Sequence, residues 1–211
     1  MLFRSNANGW TQIEQTNSTP GTWTVASEAG HAGLTTFDFQ QTGTVNTYHY
    51  QYVPGVGPIA DQTVSAWIMV GAAFADDSHK AGVCARFTTD GTNNGTSAYC
   101  FFIRQDGSAT GGRLQISKKA VGGSLSGLIS TTSPNFPNVT IPQFVVGTWY
   151  RFTLKVSGSA TPTLVASIND VPLRSVVDDG TVGGAPLTSG SAAVVARQVP
   201  ASFDDVLVTS P

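Results

Sequence analysis

The chain has 211 residues, 40% of them hydrophobic, which is enough for a sizeable core. Only 11% are Asp, Glu, Lys or Arg, against about 25% in ordinary globular proteins. The formal net charge of -2 argues against a nucleic-acid partner, because neutralising phosphates takes clustered cations.

From the start, "MLFRSNANGW" shows no apolar run of signal-peptide length after Arg4. The expectation is a mature fragment, or a protein made in the cytoplasm and released by lysis, as virion proteins are. Strand patterns follow at 22–27 (TWTVAS), 33–40 (GLTTFDFQ), 46–53 (NTYHYQYV) and 62–74 (QTVSAWIMVGAAF). "AGVCARFTT" (81–89) and "SAYCFFIRQ" (97–105) flank "DGTNNG", a hairpin signal. Further strands are expected at 112–120, 147–158, 163–169, 171–177, 191–198 and 202–208, with Asn169–Asp170 as a tight two-residue turn. "STTSPNFPNVTIPQF" (130–144) reads as a long loop. About a dozen strands at regular spacing, with almost no 3.6-residue period, predict one all-β domain over 1–211, a sandwich or barrel. No stretch approaches the ~20 apolar residues of a membrane-spanning helix.

A symmetric turn centred on residue 92 sets Cys84 opposite Cys100. Val83, Ala85 and Phe87 then share the side of Tyr99, Phe101 and Ile103, and Cys84, Arg86, Cys100, Phe102 and Arg104 share the other. Bulky apolar residues on both sides predict a hairpin central in its sheet. The ordinary reading of the two cysteines is a pair of small buried, reduced hydrophobes; a cross-strand disulfide is the alternative. No CxxC or Cys/His cluster suggests zinc.

The order "AGVCARF", "AYCFFIRQDG", "GRLQISK", "GTWYRFTLKVSG", "INDVPL", "ASFDDVLV" resembles the concanavalin A-like lectin/glucanase superfamily. The likeness is greater to the laminin-G-like jelly rolls of phage structural proteins and carbohydrate-binding modules, and runs over roughly 60–208. It implies an antiparallel jelly-roll β-sandwich of two sheets, each of about six or seven strands, with the last strand beside strands from the start of the chain. Val206 and Val208, or Phe203 and Leu207, would then face the core. Some relatives hold a structural calcium near the last strand, through an Asp and backbone carbonyls. Asp204 and Asp205 are the metal candidates, and calcium is the only cofactor the resemblance brings. Neighbouring strand residues point to opposite faces, so the two carboxylates are not expected to serve one site through their side chains. The ordinary reading is a solvated strand-end pair that blunts an edge.

The glucanases of the superfamily carry Glu-x-Asp-x-x-Glu on a strand. Glu14 and Glu28, the two glutamates here, lie in no such motif. The aspartates fall mostly in turns (Asp76–Asp77, Asp90, Asp106, Asp170, Asp178–Asp179), where solvated acids are ordinary. His31, His49 and His79 are scattered. No catalytic residue is named. Tyr48, Tyr50 and Tyr52 share one strand face and either stack on sugar rings or pack as cross-strand pairs, packing being the ordinary outcome. Arg86 and Arg104 are ligand candidates on a shared face, with solvated or locally paired arginines as the ordinary reading.

The expectation is a non-catalytic virion structural protein, a phage capsid decoration (cement) or tail-associated protein. It would form a homo-oligomer, a trimer by preference, and bind a major capsid or other virion protein. Loop 130–144 or stretch 1–10 would lie against another chain. The alternative is an extracellular carbohydrate-binding module with glycans as partners; a glycan-cleaving enzyme of unrecognised type is a weaker third.

Overall fold

The computed structural model describes residues 2–3, 9–14, 22–29, 31, 35–41, 48–54, 57–72, 79–105, 112–128, 140–141 and 145–211. In chain order the strands are β1 (Leu2–Phe3), β2 (Thr11–Glu14), β3 (Trp23–Ala29), β4 (Thr35–Gln41), β5 (Tyr48–Tyr52), β6 (Gln62–Val70), β7 (Lys80–Thr88) and β8 (Ser97–Gln105). Then come β9 (Gly112–Lys119), β10 (Leu125–Gly127), β11 (Thr140–Ile141), β12 (Trp149–Ser157), β13 (Thr163–Ile168), β14 (Val171–Val177), β15 (Ser191–Arg197) and β16 (Ala201–Thr209). No helix occurs among the described residues.

The strands form two antiparallel sheets. The first runs β14-β13-β12-β6-β16-β4-β3 with β1 on β16, and the second runs β10-β9-β8-β7-β15-β5-β2 with β11 on β9. Among the described residues each has eight strands, more than expected because the short β1, β2, β10 and β11 carry too few residues to show a period. As the resemblance implies, the final strand closes the first sheet: β16 pairs with β6 on one side and with β4 and β1 on the other. Loop 130–144 lies outside the described residues except for β11.

Alternation builds the main core between the sheets. Val64, Ala66, Ile68 and Val70 of β6 face Val83 and Ala85 of β7, Phe101 and Ile103 of β8, and Val194 of β15, all buried. The β7–β8 hairpin is central, as its two apolar sides require. Its outer side contributes Cys84, Cys100 and Phe102 to a second buried cluster with Ile13, Tyr50 and Val195. The two cysteines form a disulfide across the hairpin, so the reduced reading is corrected. Asn169 (φ 48°) and Asp170 (φ 64°) make the expected tight turn, with Ile168 paired to Val171.

Besides an irregularity between β13 and β14 at Ala166/Ser167, two bulges at charged residues break the simple alternation. Cys84 pairs with Cys100 and Ala85 with Tyr99, but the next pair is Thr88 with Ser97. The extra residue, Arg86, has φ 49°, and it moves Phe87 from the inter-sheet side to the outer cluster. In β16, Asp204 pairs with Trp67 and Leu207 with Ser65. Phe203, Val206 and Val208 therefore all reach the main core, a combination that neither alternation allows on its own.

Candidate carbohydrate-binding face and candidate metal centre

Tyr48, Tyr50 and Tyr52 occupy the outer side of the second sheet. Tyr48 and Tyr50 stack at 6.1 Å between ring centroids, Tyr48 meets Phe102 at 6.0 Å, and Phe87 sits 5.6 Å from Tyr50 and 5.0 Å from Tyr52. Tyr50 is fully buried. Burial first, and the neighbouring Tyr48 second, push its pKa well above the ordinary tyrosine range, although Arg197 acts the other way. The row therefore packs within the sheet, and the Tyr50 ring presents no face to a ligand. Tyr48 and Tyr52 keep partial exposure. The Tyr48 hydroxyl accepts from Lys80 Nζ at 3.1 Å and from Arg197 Nη1 at 3.4 Å. The Arg197 guanidinium lies 4.9 Å from the Tyr48 ring centroid.

Arg86 leaves the alternation of its own strand. The bulge turns it toward one end of the sandwich, where it is fully buried. Its Nε donates to Ala60 O at 2.8 Å, and Nη1 and Nη2 donate to the carbonyls of Leu187 and Gly158. Asp61 lies 3.7 Å from Nη2. Desolvation lowers its pKa, opposed by Tyr99 and Asp61. Arg86 is thus a clamp on three loops, and this geometry removes it from the ligand candidates. Arg104 stays in register with Lys80 and Arg113.

Next to this clamp, Lys118 and Asp178 pair at 2.8 Å with both side chains buried. Tyr99 Oη donates to Asp178 Oδ2 at 2.6 Å and accepts from Leu187 N at 2.8 Å; Lys118 also donates to Gly184 O. Asp178 is therefore not the solvated turn acid that its place in "DDGT" suggests. Its neighbour Asp179 is one, and so is Asp90. Each accepts from the backbone and hydroxyl of the Thr two residues on, at 2.7–3.0 Å, which lowers both pKa values. Asp76, Asp77 and Asp106 lie outside the described residues.

The bulge in β16 also corrects the expectation for the terminal acids. Asp205 has φ 45° and its N–H donates to Asp204 Oδ1 at 2.8 Å. The extra residue lets both carboxylates approach His31, with Nδ1 at 3.2 Å from Asp204 and Nε2 at 3.7 Å from Asp205. His31 stacks on Trp67 at 4.3 Å and 9°. One ligand atom from each of the three residues lies within 4.8 Å of the others. Calcium takes six to eight oxygens, and this set supplies two carboxylates and an imidazole nitrogen. It does not fit an all-oxygen calcium site. Its donors suit a borderline metal such as zinc. Nothing in the sequence links His31 to Asp204; the pairing of β16 with β6 and the bulge bring them together.

No family model and no curated protein matches the chain. Solved structures do. The carbohydrate-binding module CBM66 from Bacillus subtilis aligns over 99% of both chains, with a TM-score of 0.65 and 14% identity. The cellulose induced protein Cip1 aligns over 98% of this chain and 94% of its own, with a TM-score of 0.64 and 15% identity. A carbohydrate esterase of the Shiga toxin-encoding bacteriophage phi24B aligns over 96% and 90%, with a TM-score of 0.54 and 15% identity. The chain thus has the jelly-roll β-sandwich fold that these proteins share. At these identities the likeness is one of fold.

Proposed function

We propose that this protein is a non-catalytic glycan-binding jelly roll. The observation that carries the reading is the end-to-end similarity to a carbohydrate-binding module, joined to the chemistry of the second sheet's outer face. The strands of that sheet hold one acid, Glu14. Glu14 pairs in register with His49. Glycoside hydrolysis generally needs two carboxylates about 5–10 Å apart across a cleft, and the described strands of this sheet carry one acid. Tyr48 and Tyr52 are its partly exposed aromatic residues. The Cys84–Cys100 bridge suits an oxidising, extracellular setting. A glycan array, with a reducing-end assay on each glycan bound, tests the reading. Binding without turnover is expected; turnover would overturn the non-catalytic part, and an array without binders would overturn the whole.

A second reading is a virion component, decorating a capsid or attached to a tail as a homo-oligomer, by preference a trimer. The similarity to a phage esterase supports it. Sedimentation with and without purified capsid shells tests it: a monomer that ignores shells would reject it.

A further inference from the structure

His31, Asp204 and Asp205 meet where the closing strand β16 changes partners. On one side β16 pairs with β4 as far as Phe203 with Phe39, and next with β1 at Val206 with Phe3. On the other side its pairing with β6 steps from Asp204 and Trp67 to Leu207 and Ser65. The two acids fill this interval, and the positive φ of Asp205 brings its carboxylate beside His31, as that of Asp204 is. Trp67 alternates with the core residues Ala66 and Ile68, so its ring lies on the outer side of the first sheet. His31, from the connection between β3 and β4, stacks on that ring at 4.3 Å and 9°. The stack fixes the plane of the imidazole, and with it the direction of the nitrogen lone pair that binds a metal.

The donor atoms are spaced for one small ion. Asp204 Oδ1 accepts the Asp205 amide, and Oδ2 lies on the His31 side, 3.2 Å from Nδ1. Asp205 Oδ2 is 3.7 Å from Nε2. Zinc bonds of about 2.0–2.2 Å put neighbouring tetrahedral ligands roughly 3.3–3.6 Å apart, so both separations are near those of ligand pairs. One imidazole nitrogen ligates at a time. One ligand atom from each of the three residues lies within 4.8 Å of the others. Each is then at most roughly 2.8 Å from a common centre, and zinc needs each to close in by roughly 0.6 Å. Both acids make other contacts as well; ligation takes one oxygen of each, and a carboxylate has about four acceptor positions. Asp204 is buried, whereas the side chains of His31 and Asp205 are 18% and 26% exposed, so an ion has a route from solvent.

We infer that His31, Asp204 and Asp205 bind one divalent ion of the zinc class, with water completing the coordination. This departs from the calcium that the resemblance brings. Calcium is held by oxygens, whereas an imidazole nitrogen with two carboxylates is a donor set for zinc. The ion ties the connection between β3 and β4, at the edge of the first sheet, to β16 across the Trp67 ring. An ion bound by the folded chain and not by the unfolded one adds directly to stability, so the site acts as a clip on the last strand. It is independent of the glycan-binding reading, which rests on the other sheet.

Calorimetric titration and thermal unfolding of the chelator-stripped full chain test this, with zinc chloride and calcium chloride as probes. One equivalent of zinc should bind and should raise Tm by roughly 5–11 °C at a hundredfold excess over its dissociation constant. Excess calcium should neither displace the zinc nor reproduce the rise. His31→Gln and Asp205→Asn, both at partly exposed positions, should each weaken zinc binding at least about tenfold, with circular dichroism unchanged. His79→Gln, at a histidine of the connection between β6 and β7, should bind zinc as the parent does. Four results would each overturn the inference: no zinc uptake by the parent, calcium bound as tightly as zinc, well-folded His31 and Asp205 variants with parental affinity, or loss of zinc in His79→Gln.

Discussion

Removing the Asp178 carboxylate should be among the most damaging single changes in this protein. Asp178→Ala leaves the Lys118 ammonium buried with the Gly184 carbonyl as its remaining acceptor, and takes away the acceptor of the Tyr99 hydroxyl. Breaking a buried ion pair from one side costs about 3–5 kcal/mol. For a chain of this size each kcal/mol lowers Tm by about 2–4 °C, so a fall of roughly 6–20 °C is expected. Lys118→Met should cost a similar amount, since it leaves the carboxylate buried. In the double variant Lys118→Met/Asp178→Asn, the Asn oxygen still accepts from Tyr99 and neither charge is left. Its stability should return to within about 2 kcal/mol of the parent, because a buried pair replaced as a unit is often near neutral. Denaturant unfolding of Asp178→Asn, Lys118→Met and the double variant gives the coupling energy, and amide exchange at Leu187 reports whether the loop stays pinned to Tyr99. An Asp178→Ala variant within about 0.5 kcal/mol of the parent, or single-variant effects that simply add, would refute the reasoning.

Three other outcomes are expected. Tyr50 and Tyr99 have pKa values held above the ordinary range, chiefly by burial in each case, with Asp178 next for Tyr99. Their stabilising contribution is complete below the unfolded value near 10 and is lost as pH rises above it, so absorbance titration should show two of the five tyrosines ionising only as the chain unfolds. Replacing both cysteines, Cys84→Ala/Cys100→Ala, opens a loop with a sequence separation of 16 and should lower stability by about 3 kcal/mol, measured by denaturant unfolding. Asp204→Ala removes the acceptor of the Asp205 amide and the 3.2 Å contact to His31; at 2% exposure it should lower stability by about 1–3 kcal/mol, whereas Asp204→Asn, which keeps an acceptor, should cost less.

The strands and the central hairpin are legible because alternation and turn chemistry are local. "INDVPL" states its own turn, and the symmetric reading of the first hairpin predicts the Cys84–Cys100 pairing correctly. What is not legible depends on residues that meet only through sheet order. Lys80 and Arg197 are unremarkable at two strand ends until β15 is known to lie beside β7. His31 is one of three scattered histidines until β16 is seen beside β6, with Trp67 under the ring. Asp178 and Asp179 are neighbours in one turn, yet one is buried against Lys118 and the other is exposed with Thr181; local sequence has no means of separating them.

The two bulges do more than interrupt alternation. Each carries a non-glycine residue at positive φ, Arg86 or Asp205, a conformation that costs about 1–2 kcal/mol for an L-residue. At Arg86 the return is three backbone acceptors held at one end of the sandwich. The surrounding chain is built to accept the bend: a Cβ on Gly190 would lie 2.4 Å from the Arg86 carbonyl carbon, so only glycine passes there. At Asp205 the return is a second carboxylate on the side of the first, beside His31. In both places the extra residue sends a charged side chain where strict alternation would not. It also keeps Phe203, Val206 and Val208 in the core on either side of the Asp205 bend. The outer face of the second sheet is shaped by the same device. Without the extra residue at Arg86, Phe87 would keep the parity of Val83 and Ala85, and Tyr50 and Tyr52 would lose the ring that packs against them. The bulge that removes Arg86 from the ligand candidates therefore supplies the packing under the tyrosine row that leads to Tyr48 and its two cations.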